Sequence, residues 1–427
     1  MSDLALHAVP ARPAPAKAPP LMQKTPRGTS THAIAIVAIA ILLRLLIVSF
    51  VIVKFPHNWF YTRGIELGTL AHSLAAGQGL SSPLGGATGP TALLAPGYPV
   101  VIALFFRIFG SFTVSAAIAV MTMQLLFSAI TVLLIMHVAR QSFSIRAANI
   151  SGMFWAVSLP LLFMPTIFWE TCLSTLLLVG MIALALRCER RPGGLLWPLM
   201  GAYSALAALV NPALLPALLA VLAWAAWQTR KILWHFPIAL IVFCAVFAPW
   251  PIRNARVLHA FIPLRSTVGL ELWMGNRAGA TGFLDESQFP LMNRGEYGQY
   301  VAKGEVAYMR EKGALARTYI RAHPLEFLER SGVRFVRFWT GTGTHDGSAL
   351  FAFHAVLTST LGCVGMWRLI RKQRFSLAVL FVLPLVVFPL PYYITHAEFR
   401  YRLVVDPLLT ILGGYAISGA YKCAEQS

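Results

Sequence analysis

Apolar stretches long enough to cross a bilayer recur along the chain, separated by short polar or basic breaks. They fall at roughly 33–53, 113–138, 147–164, 167–187, 195–211, 213–229, 234–250, 349–369, 375–394 and 403–421. A helix of about twenty apolar residues spans the hydrocarbon core. The pattern therefore predicts an all-α polytopic membrane protein with about ten transmembrane helices. A further run, 97–109, is short, follows Pro96 and carries Arg107. Counted as a span, it would turn every basic cluster from Arg140 to Lys231 to the outside. Left out, it lets Arg140, Arg146, Arg187, Arg190, Arg191, Arg368, Arg371, Lys372 and Arg374 fall in cytoplasmic loops, as the positive-inside rule requires. Residues 97–109 are then an interfacial or re-entrant helix on the outer side.

This topology divides the chain. Residues 1–32, rich in Pro and Ala, read as a disordered cytoplasmic tail. Residues 33–250 form a seven-span core whose first outer loop is 54–112. A partly helical outer loop or subdomain follows at 251–348, then three spans within 349–421 and a short cytoplasmic tail at 422–427. The two outer segments are too long for plain connectors, and long loops are often functional. Interfacial helices are expected in the first, where Trp59, Phe60 and Tyr61 read as an interfacial belt.

Composition agrees. The chain is 57% hydrophobic and 12% charged, against about 25% charged in soluble domains. Its net charge of +19 fits lipid headgroups beside short loops better than nucleic acid. The five cysteines show neither CxxC nor zinc spacing with His, which argues against a disulfide framework or a zinc site.

The sixteen acids are few enough to audit. Nine lie in 251–348, and Asp3, Glu189 and Glu425 are cytoplasmic. Glu66, Glu170, Glu398 and Asp406 remain near the outer boundary, where a carboxylate is costly and is a functional candidate. Glu66 reads as a general base or as an interfacial carboxylate paired with Arg63. Glu170 suits a site or a helix N-terminus. Asp406, before Pro407, suits a helix cap. Arg44, mid-way along the first span, is expected to face the interior and meet an acid or a carbonyl. The segment HAEFRYR holds His396, Glu398, Arg400, Tyr401 and Arg402. It reads either as a polar loop or as a phosphate clamp, to which Arg253 and Asn254 would add, because guanidinium groups grip phosphate bidentately.

Several segments, in order, resemble a known family. They are Glu66-x4-Ala71-His-Ser-Leu74-Ala-x-Gly77-x-Gly79-Leu-Ser-Ser-Pro83, GPTALLAPGYP at 89–99, WE at 169–170 and WPIRN at 250–254. GLELWMGN at 269–276, AHPLEFLERSGVRFVRFWTG at 322–341 and EFRYRLVVDP at 398–407 complete the set. Together they resemble the polyprenyl-phosphate-dependent glycosyltransferases of the GT-C superfamily, on the protein mannosyltransferase and aminoarabinose transferase branch. The resemblance implies a multi-spanning helical core, a lipid-linked sugar donor, inverting transfer on the outer face and an essential acid, usually Asp, in the first loop. Here Arg63 stands where many members have that Asp and Gly64 where a second acid often follows, so Glu66 is left as the base.

The sequence reading is thus an inner-membrane glycosyltransferase. It moves a sugar from a polyprenyl-phosphate donor to a lipid, glycan or protein acceptor on the periplasmic face. Glu66 is the catalytic candidate. Arg63, Glu170, Arg253, Asn254, Glu271, Asn276, His396, Glu398, Arg400, Tyr401 and Arg402 are the substrate-binding ones. Membrane lipids are expected partners and nucleic acid is not. No cofactor or metal ligand is predicted, although a divalent cation is compatible with the chemistry. A transporter or flippase of lipid-linked substrates, and a non-catalytic scaffold of the same fold, remain as alternatives.

Overall fold

The computed structural model describes residues 31–58, 63–229, 235–342 and 348–424. The expected tail (apart from residues 31–32), the Trp59–Tyr61 belt, Arg230, Lys231 and the last residues from 425 lie outside these. Among the described residues there is no β-strand; Ser81 and Pro90 make one isolated antiparallel bridge.

Each of the ten expected apolar runs is helical, but not all as single rods. The long ones are α1 (Thr31–Lys54), α4 (Val114–Ser142), α7 (Thr171–Arg190) and α16 (Ser348–Arg371). Two more candidate spans, His235–Leu258 and Phe375–Ile394, each join two consecutive helices: α10 (His235–Phe247) with α11 (Pro249–Leu258), and α17 (Phe375–Val387) with α18 (Leu390–Ile394). The tenth run forms α20 (Asp406–Ala424), which is not among the six helices long and apolar enough to cross. Within the first long loop lie α2 (Ile65–Ala75) and α3 (Gly97–Phe109). Within the second lie α12 (Val268–Asn276), α13 (Arg294–Lys303), α14 (Glu305–Ala322) and α15 (Pro324–Thr340).

Three expected spans need correction. Residues 147–164 are not one rod: α5 (Ile145–Val157) and α6 (Leu159–Phe163) meet at a bend of 62° when α6 is taken through Thr166. The runs 195–211 and 213–229 yield α8 (Leu196–Val210) and α9 (Leu215–Gln228), of 15 and 14 residues. At 1.5 Å per residue each is about 22 Å long, short of a hydrocarbon core of about 30 Å. Among the described residues six helices are long and apolar enough to cross, or seven with the bent α5–α6 pair. The 13-residue α3 is likewise too short to cross alone.

The main core gathers apolar side chains from the long helices around Trp155, Trp197, Trp224 and Phe381. Helices approach closely where small residues meet: a Cβ at Gly414 of α20 would lie 2.8 Å from the Ala147 carbonyl oxygen of α5. Such contacts suit membranes, where packing rather than hydrophobic exclusion holds helices together. A second core unites α2, α3 and the start of α4 around Tyr98, Ile102, Phe106 and Phe168. A third, around Leu84, Leu270, Tyr300 and Tyr308, fuses the two long loops.

The α5–α6 bend has a sequence cause. Pro160 has no amide hydrogen to offer the Ala156 carbonyl, and the helix stops at Ser158. The freed Trp155 and Ala156 carbonyls accept from the Arg44 guanidinium at 3.1 and 3.2 Å, while its Nε donates to the Ser128 hydroxyl at 2.8 Å. Arg44 is fully buried. The expectation that it meets an acid or a carbonyl resolves to carbonyls.

A second buried network lies nearby. Arg402 of α19 (Phe399–Arg402) pairs with Asp406 and donates to the Ala355 carbonyl and the Thr358 and Ser359 hydroxyls. Asp406 also meets His354 Nε2 at 2.8 Å, and His354 Nδ1 lies 2.8 Å from the Ser158 hydroxyl. Asp406 is therefore the centre of an ionic network joining α16 to the helix break. The expectation of a simple cap for α20 is corrected.

Replacing Arg44 by Leu strands two buried carbonyls and a hydroxyl, at about 1–3 kcal/mol for each unsatisfied group. The expected outcome is a clear fall in the unfolding temperature of the detergent-purified protein, with Arg44→Lys intermediate. An unchanged Arg44→Leu melt would mean that the break holds itself.

Candidate functional site

The first long loop is built to present Glu66. Gly64 precedes α2 with φ of +78°, a left-handed conformation that glycine adopts without strain. It also lies flat on Phe168: a Cβ there would come within 2.8 Å of that ring. The contact sets the first turn of α2, and so Glu66, beside the segment leading to Trp169 and Glu170. That segment is itself pinned, since Gln124 donates to the Pro165 and Ile167 carbonyls at 3.2 and 2.7 Å. Glu170 is the N-cap position of α7 but its side chain accepts no capping hydrogen bond.

Arg400 enters from the far end of the chain. Its guanidinium lies 3.9 Å from the centre of the Trp169 ring and 4.9 Å from that of Tyr401, a cation–π seat. It also donates to the Tyr401 hydroxyl at 3.2 Å. Arg265, from the second long loop, completes the group; its Nε donates to the Leu93 carbonyl at 3.0 Å. The four charges act on one another. Burial raises the Glu66 pKa above the ordinary carboxylate value; Arg400 and Arg265 pull it back, and Glu170 raises it again. Burial opposes the charge of Arg400, but Tyr401, Glu170 and Glu398 outweigh it and hold the guanidinium protonated.

Behind this group lies a polar second layer. His396 is buried, with Nδ1 3.1 Å from Glu271 and Nε2 2.9 Å from the Tyr401 hydroxyl. Burial lowers its pKa and Glu271 and Glu398 oppose that, so the ring favours the neutral form. Tyr401 is pushed up to about 12 by burial and stacks on Tyr392 at 4.2 Å. Glu398 accepts from the Leu284 amide at 3.3 Å. Glu271 also lies 3.8 Å from Arg265.

Four of the expected substrate-binding residues serve the fold instead. Arg253 donates to the Thr91 and Leu80 carbonyls at 2.6 and 2.8 Å. Asn254 donates to the Ile262 carbonyl and accepts from Arg253. Asn276 donates to the Leu272 and Ile394 carbonyls, both at 2.9 Å, and accepts from Arg334. Arg402 is fully buried in the Asp406 network. Each is engaged with a backbone carbonyl or a carboxylate of the fold, so of the two HAEFRYR arginines only Arg400 faces Trp169. Arg63 is exposed, and among the described residues no ion pair joins it to Glu66.

Two residues went unsingled in the sequence. Arg265 is one; no motif marks it. Glu305 is the other. It accepts from the Ala92 amide at 2.8 Å, from Thr91, and from the Tyr300 hydroxyl at 2.8 Å, locking the second long loop onto the first. Its position opening α14 behind Gly304 was the available signal. Among the described residues no group of three or more His, Cys, Asp or Glu side chains is placed to hold a metal ion.

Gly64→Ala forces an L residue into the left-handed region, at about 1–2 kcal/mol, and drives its Cβ into Phe168. The expected result is a lowered unfolding temperature. Adding Phe168→Ala recovers no more than the contact part, and full recovery would show that backbone strain plays no role.

Residues 94–252 match the sequence profile of the dolichyl-phosphate-mannose-protein mannosyltransferase family. No curated protein matches the chain in sequence. Among solved structures, the oligosaccharyltransferase of Archaeoglobus fulgidus in complex with zinc and sulfate aligns at a TM-score of 0.54 and 12% identity, over 91% of this chain and 49% of that one. The same organism's AglB, in complex with an inhibitory peptide and a dolichol-phosphate, aligns at 0.51 and 12%, over 93% and 52%. ArnT from Cupriavidus metallidurans, bound to undecaprenyl phosphate, aligns more loosely at 0.38 and 13%, over 93% and 80%. The chain thus spans about half the length of the oligosaccharyltransferase whose fold it shares. By matched segment and by fold, it is similar to the GT-C glycosyltransferases, as its ordered sequence motifs imply.

Proposed function

We propose that the protein is an inverting glycosyltransferase that takes a sugar from a polyprenyl-phosphate donor and passes it to a lipid, glycan or protein acceptor. The observation that carries this reading is one carboxylate of raised proton affinity, Glu66, within electrostatic reach of two arginines, Arg400 seated on Trp169 and Arg265. Glu66 takes the proton of an acceptor hydroxyl, and that oxygen bonds to the anomeric carbon. The bond from that carbon to the phosphate oxygen breaks on the opposite face, and the polyprenyl phosphate leaves with the electron pair. Arg400 and Arg265 stabilise the charge that gathers on the phosphate. AglB, which shares the fold, is in complex with a dolichol-phosphate in its solved structure, a lipid of the proposed donor class. We place the site on the periplasmic face of a bacterial inner membrane, following the distribution of basic loops.

A transporter would be expected to have broken helices and buried charges near mid-membrane, and both occur. Yet Arg44 is taken up by carbonyls and Arg402 by Asp406, which leaves neither facing a substrate. A scaffold would have no use for the seating of Arg400 on Trp169 opposite Glu66.

Glu66→Gln keeps size and removes basicity. Transfer in membranes supplied with a lipid-linked sugar is expected to fall by about 10²–10⁴, with Glu66→Asp partly active. A fully active Gln variant would sink the assignment and favour the scaffold.

The pH dependence carries a sign. The base must be ionised, so activity is lost as pH falls through the raised pKa of Glu66, above the ordinary carboxylate range. Removing a favourable positive charge raises that pKa further. Arg400→Gln and Arg265→Gln should therefore move the acid limb of the rate profile to higher pH, and Glu170→Gln to lower pH. A limb unmoved by all three would mean that another group titrates.

A further inference from the structure

At the end of the bundle opposite Glu66 lies an open groove of about 1120 Å³ between α4, α7 and α8. Helix α7 forms its floor, with Leu177, Gly180, Ala183 and Leu184 running toward the mouth. Leu133, Leu134 and His137 of α4 make one wall, and Leu199 and Tyr203 of α8 the other. Tyr203 leans over Gly180, where a Cβ would lie 3.3 Å from its ring, and donates to the Leu177 carbonyl at 2.8 Å. The absent side chain at 180 therefore both seats the tyrosine and keeps the floor low.

The mouth is cationic. Arg187, Arg190 and Arg191 line it. Arg190 is engaged with the Gln141 carbonyl at 2.6 Å. Arg187 and Arg191 are exposed and make no hydrogen bond or ion pair among the described residues. The nearby acid is Glu189, which faces Arg190 and Arg374. From Leu176 to Arg187 the groove runs about 16 Å at 1.5 Å per residue, close to half of a hydrocarbon core of about 30 Å. An apolar slot one leaflet deep with two uncommitted guanidinium groups at its rim matches a phospholipid in both dimension and charge. A polyprenyl chain would overrun it.

We propose that this groove binds one anionic phospholipid of the phosphatidylglycerol type, its acyl chains on Gly180 and Ala183 and its phosphate at Arg187 and Arg191. The site stands apart from the proposed transfer and does not depend on it.

The test is native mass spectrometry of the detergent-purified full chain, titrated with phosphatidylglycerol or phosphatidylcholine of the same chain length. Wild type is expected to retain one phosphatidylglycerol in preference to phosphatidylcholine. The double variant Arg187→Gln, Arg191→Gln should lose that preference by about tenfold or more. Ala183→Trp, which fills the floor, should lose both lipids. The pair Arg371→Gln, Lys372→Gln, at the same end of the bundle, should leave retention unchanged. Equal retention of the two lipids would overturn the proposal. So would an equal loss in the Arg371–Lys372 pair, which would mean diffuse surface charge. Displacement of the lipid by stoichiometric undecaprenyl phosphate, or by inorganic phosphate alone, would assign the groove to a different occupant.

Discussion

The guanidinium of Arg44, closed over the Trp155 and Ala156 carbonyls, lets the bundle contain a broken helix. In hydrocarbon, a carbonyl without a donor has no water to turn to. A proline-induced break is therefore tolerable only where another group supplies hydrogens. Arginine does this repeatedly in this protein. Arg253 serves Leu80 and Thr91, Arg330 serves Asn276 and Arg277, Arg334 serves Gly275 and Tyr393, and Arg374 serves Ser142. Five donors on a planar fork suit this task better than the ammonium of lysine. The excess of basic over acidic side chains thus has a structural share besides its pairing with lipid.

The break has a geometric product. Turning the chain by 62° after Val157 brings Phe168 beneath Gly64 and sets Trp169 as the plate on which Arg400 rests. Glu305 then fastens the second long loop to the first through Ala92 and Thr91, carrying Arg265 in with it. Arg400 and Arg265 are thus each held by a contact to a different part of the chain, Trp169 and Leu93.

Much of this was legible in the sequence, for identifiable reasons. Spans follow from apolar length, which a bilayer enforces strictly. Glu66 and Glu170 stood out because acids are scarce near the boundary, and Arg400 because it shares seven residues with other polar groups. The α5–α6 bend was hidden because apolar residues continue through Ser158 and Pro160. Arg253 and Arg402 misled because a guanidinium that clamps carbonyls has the same sequence signature as one that clamps phosphate. Arg265 was invisible: its role comes from a loop fold that Glu305 imposes from forty residues downstream.

The seating of Arg400 on Trp169 joins an early helix entrance to a segment made almost last. A chain emerging from the ribosome inserts its helices in order, and Glu66 and Glu170 are in the membrane long before Arg400 is synthesised. Until then the two carboxylates face each other without their strongest counter-charge. The order of synthesis thus leaves the half-built protein with both carboxylates and Arg265 but without the last guanidinium of the group. A chain that stalls before residue 400 therefore never completes this group of charges.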